Sequence, residues 1–264
     1  MLSLLLAWVS LAMSLTFVPL AQAGTACAEK KTDPHAFLNA TSLAERTILA
    51  LDESGAQVAL IGRVGQDLSR YGLRYSHVAY VWRDHPKGRW TVVHELNQCG
   101  TASSGLYDEG LLNFFLDDLF AYEAVILTPS KDLQTRIVRA LAGTAPQRMH
   151  SASYNMLAYA FSTRYQNSNQ WVLETFAAAM SDLPVHDREA AQAWLRLAGY
   201  RPGLVYVPAP TRLGARMFKA NVSFDDHPFG RRMAGQIDTV TVESVLRFVQ
   251  QRDAAAKMRL VAAE

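Results

Sequence analysis

An α+β fold is what this sequence predicts, and three observations lead there. Two neighbouring runs rich in Val, Tyr, Trp and Thr, SHVAYVW at 76–82 and WTVVHEL at 90–96, read as strands. Asp84-His85-Pro86-Lys87-Gly88 between them is turn chemistry, so the two runs form an antiparallel hairpin. Strands and helices then follow one another without regular βαβ alternation, which separates α+β from α/β. The composition allows such a fold: half of the 264 residues are hydrophobic and 19% are charged. A chain of this size buries a core without metal or disulfide staples.

In chain order, Ser42-Leu43-Ala44-Glu45 reads as a capping box opening a helix with apolar Leu43, Ile48, Leu49 and Leu51. Gln57 to Val64 is apolar and β-branched enough for a strand, and a polar loop runs from Gly65 to Arg74. After the hairpin comes a helix around Glu109 to Phe120, then a strand at Glu123 to Thr128 ended by Pro129. Helices follow around Asp132 to Leu141, over Asn169 to Met180, where residues 171, 172, 176, 179 and 180 are apolar, and at Asp187 to Leu197. Leu204 to Val207 reads as a short strand and Val242 to Gln251 as a terminal helix.

Met1 to Ala23 carries no charged side chain, and Ala21-Gln22-Ala23 offers small residues where a signal peptidase reads. The expectation is a signal peptide cleaved after Ala23, a periplasmic or secreted protein, and one domain over 24–264. The apolar run is long and lacks a preceding Lys or Arg, so the alternative is an uncleaved membrane anchor, the one route by which a membrane is expected to be involved. The net charge is +2 and the basic residues are scattered, which gives no nucleic-acid signal. Cys27 and Cys99 make an even count suited to a disulfide in an oxidising compartment, the alternative being two unpaired structural cysteines.

The residues that can carry chemistry converge on the hairpin and on one helix start. About a turn centred near 86, residue 77 falls opposite 94 or 95, so His77 meets either His94 or Glu95. Pleating sends His94 and Glu95 to opposite faces, and the register decides which one shares the face of His77. Glu95 reads as a solvated residue, and each histidine has a purely structural reading as a satisfied buried side chain. Farther on, in Arg164-Tyr165-Gln166-Asn167-Ser168-Asn169-Gln170-Trp171, polar residues stop abruptly and an amphipathic helix begins. Asn167 suits an N-cap, with Gln170 three residues on in a capping-box arrangement. Ser168 then sits in the first turn beside free backbone N–H groups, where a nucleophile finds oxyanion donors; its plain reading is a helix-start residue. Tyr154, Asn155 and Tyr165 precede that helix and can shape a cleft, while Trp171 reads as core. Cys99 is a second candidate nucleophile, and His150, His186 and His227 read as surface or loop residues. No HxH, HExxH or CxxC spacing is present, so neither a metal (from His77, His85 and His94) nor a cofactor is expected.

The run SHVAYV, then WTVVHELN, then a polar helix-opening segment about 70 residues on, resembles the circularly permuted branch of the NlpC-type papain-like superfamily. The resemblance implies an antiparallel sheet packed against helices, a histidine base, a polar orienting residue on the next strand and a Cys nucleophile starting a helix. Carried over by position, His77 matches the base, His94 the orienter and Ser168 the place of the Cys. The chain also resembles an exported bacterial family known as domain of unknown function 2145. The function implied is a hydrolase or acyltransferase acting on an amide or ester, with a small-molecule, peptide or lipid substrate such as a peptidoglycan peptide. Because a serine hydroxyl cannot form the thiolate–imidazolium pair of a cysteine, the alternative is an inactive papain-like binding protein of the cell envelope.

Overall fold

The computed structural model describes residues 33–117 and 119–263 and has the α+β architecture. The chain opens with α1 (Pro34–Ser54), β1 (Val58–Val64) and the hairpin β2 (His77–His85) and β3 (Gly88–Asn97). Then come β4 (Ser104–Gly110), α2 (Leu111–Leu116), β5 (Ala121–Thr128), α3 (Lys131–Ala142) and α4 (Ala145–Arg148). The second half holds α5 (Ser168–Met180), α6 (Arg188–Leu197), β6 (Gly203–Tyr206), α7 (Ala209–Phe218), α8 (Phe229–Met233), β7 (Gln236–Thr239), α9 (Val242–Arg252) and β8 (Lys257–Ala262). Six strands form one antiparallel sheet in the order β4-β3-β2-β1-β5-β8, and β6 pairs with β7 in a small second sheet.

The period of two sorts the sheet into two apolar faces. Ala59, Ile61, Ala79, Val81, Val92, Ala124 and Ile126 pack under α1 and α2, against Leu43, Leu51, Phe114 and Phe115. Leu60, Val78, Tyr80, Val93, Val125 and Leu127 pack under α3, α5 and α9, against Ile137, Trp171, Phe176 and Phe248. Both faces are covered, which is why β1 (VALIGRV) is buried along its whole length. Helix α5 is buried on all sides from Ser168 to Ala177, its polar residues included, and forms the centre of the second layer.

Several expectations are corrected here. The predicted helix around 109–120 divides: residues 104–110 form β4, and only Leu111–Leu116 are helical. The segment SGLYDEG has no β-branched residue, and it is a strand because it pairs with β3 from Thr91↔Gly110 to Asn97↔Ser104. Strand β8 follows the expected terminal helix and closes the sheet edge beside β5, with four of its six residues exposed in a row before Val261. The first helix starts at Pro34 behind the Asp33 cap, eight residues before the Ser42 capping box, and Ile48 and Leu49 stay exposed. The hairpin turns tightly at Pro86-Lys87, with His85↔Gly88 and Tyr80↔Val93 in register. Continuing that register, 77 lies opposite 96 and 94 opposite 79, one pair away from the predicted positions. Elements α4, α7, α8 and β7 have no counterpart in the sequence reading.

Candidate active site

His77 and His94 are diagonal neighbours on one face of the hairpin, and their rings meet: His77 Nε2 lies 3.0 Å from His94 Nδ1. Both pack against Phe114 of α2. Strand β4 supplies a third group. The Glu109 Oε1 atom stands 3.0 Å from His94 Nε2. The two are not aligned as a hydrogen bond, but the carboxylate charge favours a His94 proton on Nε2, the tautomer in which His94 Nδ1 accepts from the His77 Nε2–H. The free lone pair of the chain is then on His77 Nδ1. Burial holds the His77 imidazole well below its usual range, helped by the nearby Arg63 charge and by His94. Burial also lowers His94, while Glu109 opposes the shift. Arg63 itself is held by the Phe114 carbonyl and the Asp117 carboxylate. Glu109 was missed in the sequence because it fell in the predicted helix; only the β3–β4 register brings it to His94.

Ser168 approaches this pair from the other layer. Toward His77 the N–H of Val78 leaves the β3 side of its strand and donates to Asn169 Oδ1 at 2.9 Å. The start of α5 is therefore anchored where β2 and β3 part, one residue from His77 on the strand and one residue from Ser168 on the helix. Both residues are buried. The structure thus brings His77 and His94 into contact on the α2 side of the sheet, and leaves Ser168 in the α5 layer with no hydrogen bond to either histidine.

The helix start is built as its sequence requires. Asn167 Oδ1 accepts from the Gln170 N–H at 2.8 Å, and its Nδ2 donates to Thr239 Oγ1 at 3.0 Å. The Gln170 side chain does not complete a capping box; it reaches Glu174 and the Ala160 carbonyl. Asn167→Ala loses the cap and the Thr239 link together, and urea unfolding should show a loss of about 1–2 kcal/mol. One turn into α5, the fully buried Glu174 carboxylate accepts from Arg188 Nε (2.7 Å), Gln166 Nε2 (2.7 Å), Gln170 Nε2 (3.1 Å) and Gln192 Nε2 (2.7 Å). Arg188 also holds the carbonyls of Thr163 and Tyr165, which pins the approach to Ser168.

Glu95 points to the α5 layer and is not solvated, contrary to the sequence reading: it is fully buried, and neither carboxylate oxygen has a hydrogen-bond partner. Burial raises its carboxyl to about 8, against smaller opposing effects of Ser104 and Arg188. A native value above the ordinary 4.5 means that the unfolded chain ionises first, so stability falls as pH rises from about 4.5 to about 8. Glu95→Gln removes that slope. Its stability relative to wild type should grow by roughly 4–5 kcal/mol between pH 4.5 and pH 8. Urea unfolding at the two pH values measures this, and a difference that stays constant refutes the raised ionisation.

The other candidates separate. His85 meets Trp82 edge to face, away from the pair. His150 is partly buried, with Nε2 3.3 Å from Ser104 Oγ. His227 is buried rather than superficial and pairs with Asp226 at 3.0 Å. Trp171 is core, and its Nε1–H donates to the Pro146 carbonyl. Among the described residues there is no free cysteine, which removes Cys99 as a nucleophile; Cys27 and the predicted leader lie outside them. Among the same residues no helix is long and apolar enough to cross a membrane.

Residues 50–249 match a family described as an uncharacterized protein conserved in bacteria, DUF2145. The chain belongs to the DUF2145 family. The span matched in this DUF2145 member takes in both histidines, Glu109, Glu95, Tyr154 and all of α5, and leaves β8 outside. No curated protein and no solved structure matches the chain.

Proposed function

We propose that this chain is an exported hydrolase or acyltransferase for an amide or ester, laid out on the permuted papain-like plan with Ser168 in the nucleophile's place. The observation that carries this reading is the Glu109–His94–His77 series, on a strand whose next residue, Val78, donates its backbone N–H to Asn169 at the start of α5. A low imidazole pKa favours the serine version of the chemistry. A thiol gives its proton up to form an ion pair, whereas a hydroxyl needs a neutral base, and His77 is held neutral. In the attack, the Ser168 proton passes to His77 Nδ1 as the Oγ–acyl bond forms. The acyl–N or acyl–O bond then breaks, and His77 returns the proton to the leaving group. Water or an acceptor hydroxyl or amine reverses these steps to release the acyl group. The first N–H groups of α5 and the Tyr154 hydroxyl are the donors for the oxyanion. Tyr154 is suited to this because burial raises its phenol to about 12, so it keeps its proton.

The test is labelling of the purified protein by a fluorophosphonate, with Ser168→Ala as control. Labelling that disappears in Ser168→Ala supports the reading; labelling that persists there removes Ser168 from the nucleophile's role. One observation favours a second reading, an inactive binding protein of the envelope: His77 packs with His94 and Phe114 on one face of the sheet, whereas Ser168 opens α5 on the other. Absence of labelling in a folded wild-type protein selects that reading. Either way the charge-free first 23 residues support an exported or envelope-anchored chain, where a peptidoglycan peptide or a lipid is at hand.

A further inference from the structure

We propose that the small β6/β7 lobe is a docking surface for an anionic phospholipid bilayer, with Leu204, Tyr206, Phe229 and Met233 entering the lipid. The proposal goes beyond the catalytic reading and does not depend on it.

The lobe carries an apolar face that the described residues leave uncovered. Val205 and Val207 turn inward, where they pack with Phe224 and Ile237. The period of two then sends Leu204 and Tyr206 outward. On α8, Phe229 and Met233 are four residues apart and share one side of the helix. All four side chains belong to residues 54% to 69% exposed. Two contacts bring strand and helix together. Leu204 pairs with Asp238 across the β6/β7 ribbon, and Asp238 Oδ1 accepts from Arg231 Nη2 of α8 at 2.6 Å. The Tyr206 ring lies against Gly235, two residues past Met233, where a Cβ would stand 2.8 Å from it. Bulky apolar side chains gathered in this way mark an interaction surface.

Charge decides what that surface meets. Segment 201–239 holds six Lys and Arg against three Asp, a net +3 in a chain whose total is +2. All three acids are engaged within the protein: Asp225 by Arg164, Asp226 by His227 and the Tyr159 N–H, and Asp238 by Arg231. Arg212 and Arg232 donate to the carbonyls of Val207 and Phe224, so neither guanidinium is neutralised there. The Arg232 guanidinium also lies 5.6 Å from the centre of the Phe229 ring, which puts positive charge on the apolar face itself. Apolar side chains that enter the acyl boundary, with cations beside them for the phosphates, are what an anionic bilayer binds.

The lobe is also tied to the start of α5. Asn167 Nδ2 donates to Thr239 Oγ1 at the end of β7 at 3.0 Å, and the Ala160 N–H donates to the Asp238 carbonyl. Docking therefore keeps Asn167 and Ser168 next to the part of the molecule that meets lipid.

The hydrophobic cores draw on residues 40–261, so the chain of residues 24–264 folds without its first 23 residues and is the protein to test. The experiment is co-sedimentation with vesicles of phosphatidylcholine, with and without phosphatidylglycerol. Wild type should bind the phosphatidylglycerol vesicles, at least about tenfold more weakly without the anionic lipid, and less as salt is raised. Phe229→Ser with Met233→Ser should weaken binding by about tenfold or more, and Leu204→Ser alone by about threefold. Leu183→Ser, at a comparably exposed residue beyond the far end of α5, should leave binding unchanged. Urea unfolding checks the fold, and the Leu204→Ser arm decides if the double variant is unfolded. No binding by wild type, equal binding to both vesicles, unchanged binding in the folded patch variants, or an equal loss in Leu183→Ser overturns the proposal. Vesicle binding by a protein that fluorophosphonate never labels supports the docking surface and discards the catalysis. Labelling without vesicle binding overturns the docking surface alone.

Discussion

His77→Asn should slow fluorophosphonate labelling of Ser168 by about 10²- to 10⁴-fold, the range that a positioned general base contributes. Asn retains a polar group that can still bond His94 Nδ1, so the fold should survive, and unfolding by urea checks this. Glu109→Gln should act more gently, because it leaves the base in place and loosens only the tautomer that aims His77 Nδ1 outward. Equal losses in both variants would mean that the histidine pair is structural. The pH dependence has a definite sign. Burial, Arg63 and His94 lower the His77 pKa, so the base stays neutral above the ordinary 6.5, and the acid limb of the labelling rate lies below it. Stability follows the same direction. The unfolded chain takes up the proton first, so the contribution of His77 is complete above about pH 6.5 and fades as pH falls below it.

Arg188→Met should destabilise the protein by about 3–5 kcal/mol, the cost of leaving a buried carboxylate without its cation. Glu174 is fully buried, and in wild type its two oxygens face one guanidinium and three side-chain amides. Its carboxyl is nevertheless pushed above the ordinary range, because burial outweighs the attraction of Arg188. A double variant, Arg188→Met with Glu174→Gln, should recover a good part of the loss, since the amide needs no counter-charge. Chemical unfolding of the two single variants and the double variant measures the coupling. Full additivity would show that the pair acts as two independent residues. Because Arg188 also holds the carbonyls of Thr163 and Tyr165, the single variant should loosen the segment that delivers Ser168.

Much of this site is written in local sequence. Alternation along SHVAYVW and WTVVHEL is enough to place His77 and His94 on a common face once the turn at Pro86-Lys87 is set, because the side-chain period of a strand is two. Asn167 as a cap at the end of a polar stretch, ahead of the apolar positions that begin at Trp171, is enough to place Ser168 in a first helical turn, because the Asn side chain satisfies an N–H that the helix cannot. The partners of those residues are another matter. Glu109 reaches His94 only because an unpromising segment, SGLYDEG, is drawn into the sheet by the exposed edge of β3. Glu95, in an otherwise ordinary strand, looks like a solvent-facing carboxylate until α5 and the loop carrying Tyr154 cover it. Strand β8 likewise owes its conformation to the free edge of β5 rather than to its own residues. Periodicity and capping are satisfied within a few residues, so the sequence alone determines them. Edge pairing and the burial of a charge depend on groups far away in the chain, so only the assembled tertiary structure decides them.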